Sequence, residues 1–138
     1  MCGLCGIVNF KEKARTELVQ TMMFKMKHRG PDDDGIYENN EKSLVLGFVR
    51  LSIIDLSKNG HQPMLSSDER YVIIYNGEVY NYKEIRDELI IKGYKFRTTS
   101  DTEVVINSFI EWGKECMFKC QTSRESPLGR VCGGYGIP

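Results

Sequence analysis

The chain opens MCGLCGIVNF, and the second residue is the one whose chemistry depends on processing. Because Cys2 is small, removal of Met1 is expected, and it leaves an α-amine and a thiol on the same residue. A free α-amine has a pKa of about 7.7–8.0, so near neutral pH a useful fraction is unprotonated and acts as general base for its own side chain. Threonine with its N-terminal amine is a known nucleophile–base pair of this kind, and a thiol is the better nucleophile. No histidine is then needed. The chain holds 2, His28 between Lys27 and Arg29 and His61 in GHQPM, and both read as loop residues. Position alone favours the plainer reading of Cys2 as a small strand residue that follows the initiator.

Other residue types in the chain offer complementary chemistry. Arg50 stands at the edge of the apolar run of RLSIID, where a guanidinium can clamp a carboxylate bidentately or simply be solvated or paired with a surface acid. In YNGEVYN, Asn76 and Gly77 present a side-chain amide and a backbone N–H in succession, two donors suited to an oxyanion. The same dipeptide also forms type I′ turns between strands. Asp101 can receive an ammonium group, or it can serve only the dipole of the helix it begins. Cys2 and Cys5 also spell C-x-x-C. A zinc site would need a second pair, and Cys116 with Cys120 lies at the other end of the chain with different spacing. A thioredoxin-like pair belongs where a strand enters a helix, whereas these cysteines lie inside the strand.

The elements that must position these groups follow from periodicity. CGLCGIVNF reads as a buried strand. In ARTELVQTMMFKMKH, Leu18, Met22 and Met26 with Val19 and Met23 form one apolar stripe, so a helix follows and stops at Gly30-Pro31. GIYE, SLVLGFVRLSIIDL and RYVIIYNGEVYN are rich in β-branched and aromatic residues and read as strands, the last two joined across a polar loop through SSDE. Asn81 with Glu84, then Ile85 and Leu89, and Gly93 as terminator mark a second helix. YKFRT reads as a short strand. Ser100-Asp101-Thr102-Glu103 reads as a capping box opening a third helix through Val105, Phe109 and Trp112. From Gln121 onward QTSRESPLGRVCGGYGIP lacks apolar periodicity and reads as an irregular tail. The pattern is α+β with antiparallel strands.

Bulk properties exclude several classes. A length of 138 residues suits one domain that buries a core without staples. Basic and acidic residues number 19 each, a formal net charge of zero, which does not advertise a polyanion partner. The tyrosines and phenylalanines sit in apolar runs rather than along a basic stripe, so no nucleic-acid partner is expected. Neither a membrane-spanning run nor a signal peptide is legible, and a cytoplasmic protein is expected. The 5 cysteines, an odd scatter, suit reduced thiols.

Taken together, MCGLCGIV, HRGPDDDG, RLSIIDLS, GHQPM, YNGEVYNYKEIRDEL and TTSDTEV resemble, in order and spacing, the glutaminase domain of asparagine synthetase, a class II glutamine amidotransferase. The resemblance covers about residues 2–119. It implies an N-terminal nucleophile hydrolase fold, a four-layer αββα sandwich of antiparallel sheets. The amidotransferase domain would occupy residues 1–120, with a divergent tail over 121–138. The implied reaction is hydrolysis of the side-chain amide of L-glutamine to glutamate and ammonia. By the same resemblance Cys2 is the nucleophile, and Asn76 and Gly77 hold the oxyanion. Arg50 binds the substrate carboxylate, Asp101 with the backbone around Glu78 binds its ammonium, and the backbone of Leu51, Ser52, Ile53 and Ile54 lines the pocket.

No metal or cofactor is implied for this half-reaction. ATP and Mg belong to a synthetase domain that accepts the ammonia and makes asparagine, and its pyrophosphate-binding Ser-Gly-Gly run is missing from this chain. A homodimer is compatible with the resemblance. After EWGKECMFKC the family continues with further core strands where this chain has its tail, so a truncated or altered end is expected. Three readings therefore stand: a glutaminase, a non-catalytic remnant that binds glutamine or a partner, and a zinc-binding structural protein.

Overall fold

The structure, a computed structural model, describes residues 2–52 and 60–122 together with the backbone of Tyr135–Gly136. Ile53 and Ile54, and the tail apart from that pair, lie outside the described residues. The chain forms two compact units, residues 1–63 and 64–138.

The first unit is built on strand β3 (Leu44–Arg50), every residue of which is buried. It pairs antiparallel with β1 (Gly3–Val8) on one side and β2 (Asp33–Glu38) on the other. LVLGFV is apolar because the strand is central, and the charged Arg50 closes it. The opening strand, expected to be buried, is instead an edge strand with mostly half-buried or exposed residues. Helix α1 (Thr16–Met26) covers the sheet with Val19 and Met23, which pack with Ala14, Val45 and Val49. Gly47 allows that approach, since a β-carbon there would lie 2.6 Å from the Met23 sulfur and 2.7 Å from Val19. Only part of the expected stripe is therefore inside. Leu18 and Met22 stay largely exposed because the helix meets the sheet along the Val19–Met23 line.

In the second unit, β4 (Met64–Leu65), β5 (Tyr71–Ile73) and β6 (Tyr135–Gly136) form an antiparallel sheet in the order β4-β5-β6. Two residues of the expected irregular tail thus join a sheet. Helices α2 (Tyr82–Ile91), α3 (Asp101–Trp112) and α4 (Cys116–Lys119) follow β5. Ile85 and Leu89 of α2 pack with Val104, Val105 and Ile106 of α3 and with Ile73, Tyr75 and Val79. Helix α2 ends as expected at Gly93, whose φ of 96° suits a residue without a side chain.

Three local expectations fail here, each because a distant or different partner takes the group. YKFRT forms no strand: the backbone N–H groups of Arg97 and Thr98 donate to the Glu103 carboxylate at 2.8 and 2.7 Å. The same bonds replace the capping box, so Ser100 accepts from the Thr102 N–H while Glu103 reaches back beyond it. Asn81 makes no side-chain cap; it donates to the Lys119 carbonyl and accepts from the Gln121 N–H.

Candidate functional site

The amino-terminal cysteine is placed by strand pairing. Gly3 lies opposite Val49, so the chain just before β1 runs beside the end of β3. There the Leu51 N–H donates to the Cys2 sulfur at 3.4 Å, and that sulfur lies 3.7 Å from the Leu51 carbonyl oxygen. Arg29 anchors the same residue by donating from Nε to the Cys2 carbonyl at 3.3 Å.

The end of β3 is held from several sides. Gly30 packs so closely on it that a β-carbon would lie 2.4–2.6 Å from backbone atoms of Val49 and Arg50. The Asp32 N–H donates to the Arg50 carbonyl at 3.1 Å, and the Asp32 carboxylate accepts from the Ser52 N–H at 2.7 Å. Asp33, opposite Arg50 in the ladder, pairs with His61 Nδ1 at 2.8 Å. The Arg50 side chain is buried, with its guanidinium against Gly60. HRGPDDDG and GHQPM, read from sequence as a helix stop and a loop, thus act as braces around Arg50, Leu51 and Ser52. Gly30 and Gly35 of the first motif and Gly60 of the second were the legible signal for such close approaches.

The second unit presents Asn76, Gly77 and Glu78 as an exposed stretch between buried Tyr75 and Val79. It is not a type I′ turn. Neither Asn76 nor Gly77 has the positive φ such a turn requires at both central positions, and helix α2 rather than a strand follows. The Tyr75 hydroxyl lies under Gly77, 2.6 Å from where a β-carbon would stand. Burial, with the nearby Asp101, Cys120 and Glu78 charges, pushes that hydroxyl well above the ordinary phenol range.

Asp101, the first residue of α3, accepts the Val79 N–H at 3.1 Å and so ties the exposed stretch to the helix start. Desolvation raises its pKa, opposed by its backbone hydrogen bonds and assisted by the Glu78 charge. An anion held at such a cost is suited to meeting a cation. Cys2, Arg50, Leu51 and Ser52 therefore belong to the first unit, and Asn76, Gly77, Glu78 and Asp101 to the second. Sequence reasoning gave no role to Arg29, Asp32, Gly60 and Tyr75, which brace a candidate group or its neighbour, and it gave Glu103 a capping role in place of its bonds to Arg97 and Thr98.

Cys2, Cys5, Cys116 and Cys120 are free thiols. Among the described residues no group of three or more His, Cys, Asp or Glu is placed to hold a metal ion, and no helix is long and apolar enough to cross a membrane.

A family model described as a glutamine amidotransferase domain matches residues 1–122. The chain belongs to this family. Its relatives include asparagine synthetase [glutamine-hydrolyzing] 1 of Bacillus subtilis, 46% identical over 123 residues, which covers 86% of this chain and 19% of that protein. Asparagine synthetase [glutamine-hydrolyzing] 3 of the same organism is 40% identical over 121 residues, 85% of this chain and 19% of the relative. Asparagine synthetase [glutamine-hydrolyzing] 1 of Arabidopsis thaliana is 36% identical over 115 residues, 82% and 19% respectively. The amidotransferase chain thus spans about a fifth of the length of these relatives and is homologous to their amino-terminal glutaminase portion.

Proposed function

We propose that this amidotransferase domain hydrolyses the side-chain amide of glutamine through Cys2 and supplies the ammonia to an asparagine-synthetase-type, ATP-dependent domain or subunit. The observation that carries the reading is the Leu51 N–H on the Cys2 sulfur, directly beside buried Arg50. In the fold that goes with it, the four-layer αββα sandwich, each sheet lies under helices. Among the described residues the first unit offers an antiparallel sheet with one α-helix, α1, and the second an antiparallel sheet with helices α2, α3 and α4.

The chemistry runs as follows. Once Met1 is removed, the α-amine of Cys2 takes the thiol proton and the sulfur attacks the carboxamide carbon. The oxyanion that forms is held by the Asn76 side-chain amide and the Gly77 N–H, donors whose individual removal costs roughly 10²–10³ in rate. The ammonium form of the amine returns its proton to the departing nitrogen, the C–N bond breaks, and ammonia leaves a γ-glutamyl thioester. Water, deprotonated by the same amine, cleaves the C–S bond and releases glutamate. These steps balance in protons and electrons without a metal or cofactor. Arg50 holds the substrate α-carboxylate, and Asp101 with the backbone at Glu78 holds its α-ammonium. The partly buried Asp101 charge regains through that contact what it lost in desolvation.

The test is ammonia release from glutamine by the full chain, with the intact mass showing Met1 removed. Cys2→Ala is expected to abolish turnover, and a glutamine-analogue electrophile is expected to label Cys2 stoichiometrically. Turnover that survives Cys2→Ala overturns the mechanism. A processed chain that neither turns over nor labels leaves the remnant, a glutamine-binding or interaction module, as its function.

A further inference from the structure

We propose that Gly60 is a positioning residue for substrate recognition: by leaving its β-position empty it sets where the Arg50 guanidinium lies, and thereby the preference for an amide that carries a free α-carboxylate. This rests on the glutaminase reading above and deepens it.

A β-carbon on Gly60 would lie 2.3 Å from Arg50 Nη2, 2.8 Å from Cζ and 3.3 Å from Nη1, so the guanidinium occupies the space a side chain would take. The backbone does not demand glycine at this position, since Gly60 lacks a left-handed φ. Among the described residues, the atoms nearest that β-position all belong to the charged end of the flexible Arg50 side chain.

Other glycines around the site differ. At Gly30 the β-carbon would meet the Val49–Arg50 backbone, and at Gly35 the Gln62 carbonyl oxygen at 2.2 Å, so those positions are demanded by packing that cannot yield. A guanidinium can swing aside by rotation about its own bonds. A methyl group at residue 60 is therefore tolerated by the fold, and its cost falls on the location of the charge. The Arg50 main chain cannot move to compensate, because it is fixed by the β2–β3 ladder, by the Asp32 N–H on its carbonyl and by Gly30 beneath it. The displacement must be taken by the side chain that recognises the carboxylate. Bidentate recognition is sensitive to such a shift, since both N–H···O bonds require the fork in one plane and at one distance.

The experiment compares glutamine with 4-aminobutyramide, which keeps the side-chain amide and the amine but lacks the α-carboxylate, using the full chain with Cys2 freed. In Gly60→Ala, KM for glutamine is expected to rise about 10- to 100-fold, the loss of one charge-assisted contact, with kcat changed far less. The ratio of kcat/KM for glutamine over 4-aminobutyramide is expected to fall by the same factor. In an Arg50→Lys background, adding Gly60→Ala is expected to change that ratio less than about threefold, because the residue acts through the guanidinium.

An unchanged ratio in Gly60→Ala, or full additivity with Arg50→Lys, overturns the proposal. So does a Gly60→Ala chain that fails to show the wild-type circular dichroism, because the guanidinium would then not be the part that gives way. Wild-type protein that neither hydrolyses glutamine nor labels at Cys2 removes the glutaminase reading and this inference with it. An active wild type with an unmoved ratio removes this inference alone.

Discussion

Glu103 is the residue whose replacement separates a structural carboxylate from the candidate one two positions earlier. It is 2% exposed, and its two oxygens accept from the Arg97 N–H at 2.8 Å, the Thr98 N–H at 2.7 Å and the Thr98 hydroxyl at 2.6 Å. A hydrogen bond to a charged group is worth about 1.5–3 kcal/mol, but these share one carboxylate and do not simply add. The Arg97 side chain, 3.8 Å away and largely exposed, contributes little more. Because Arg97 is exposed and Thr98 half-buried, the freed N–H groups regain some water. Glu103→Ala is therefore expected to cost about 3 kcal/mol and to lower Tm by about 10 °C. Glu103→Gln keeps the volume but turns an NH₂ toward a donor, so a loss of about 2 kcal/mol is expected. Thermal unfolding followed by circular dichroism measures both, and amide exchange at Thr98 reports whether the segment before α3 has opened. If Glu103→Ala lies within about 1 kcal/mol of wild type, or Thr98 stays as protected as before, the carboxylate is not what holds that segment.

Asp101→Asn tests the buried anion. A carboxylate whose folded pKa is raised binds its proton more tightly in the native state, so its ionisation takes stability away as pH rises from the ordinary aspartate value of 3.8 through the higher folded value. The asparagine variant is expected to lose that decline, to be at least as stable as wild type near neutral pH, and to bind glutamine at least tenfold more weakly. Unfolding midpoints across acidic to neutral pH and KM for glutamine check the two halves, and a variant less stable than wild type near neutral pH contradicts the first.

Burial raises the Cys116 thiol from 9.0 to about 11, so stability is expected to fall with a proton-linked slope as pH climbs between those values. Cys116→Ser, compared by denaturant unfolding, should flatten that alkaline limb. Gly30→Ala presses a β-carbon into main-chain atoms and is expected to cost about 2–3 kcal/mol, clearly more than Gly60→Ala. Ranking the two variants by Tm tests it, and the reverse order contradicts the packing argument.

The chain's order of residue types determined a good deal unaided. The apolar run from Leu44 to Val49 in β3, the helical period of α1 and α2 and the stop at Gly93 are local properties, fixed by side-chain polarity and backbone freedom within a few residues. The joint motifs identified the family, and the groups able to act as nucleophile, cation and anion were visible by type. Tertiary structure alone decided which of two neighbouring apolar lines on α1 is buried, because that depends on where Gly47 lets the helix settle. It also decided that Asn76-Gly77 is not a strand-joining turn, that Glu103 spends its carboxylate on Arg97 and Thr98, and that Gly30 and Gly60 brace Arg50. Each of these outcomes is a competition for a hydrogen bond or a volume in which at least one contender lies outside the window that periodicity and propensity can see. Space and hydrogen-bond partners are assigned only when the chain folds back on itself.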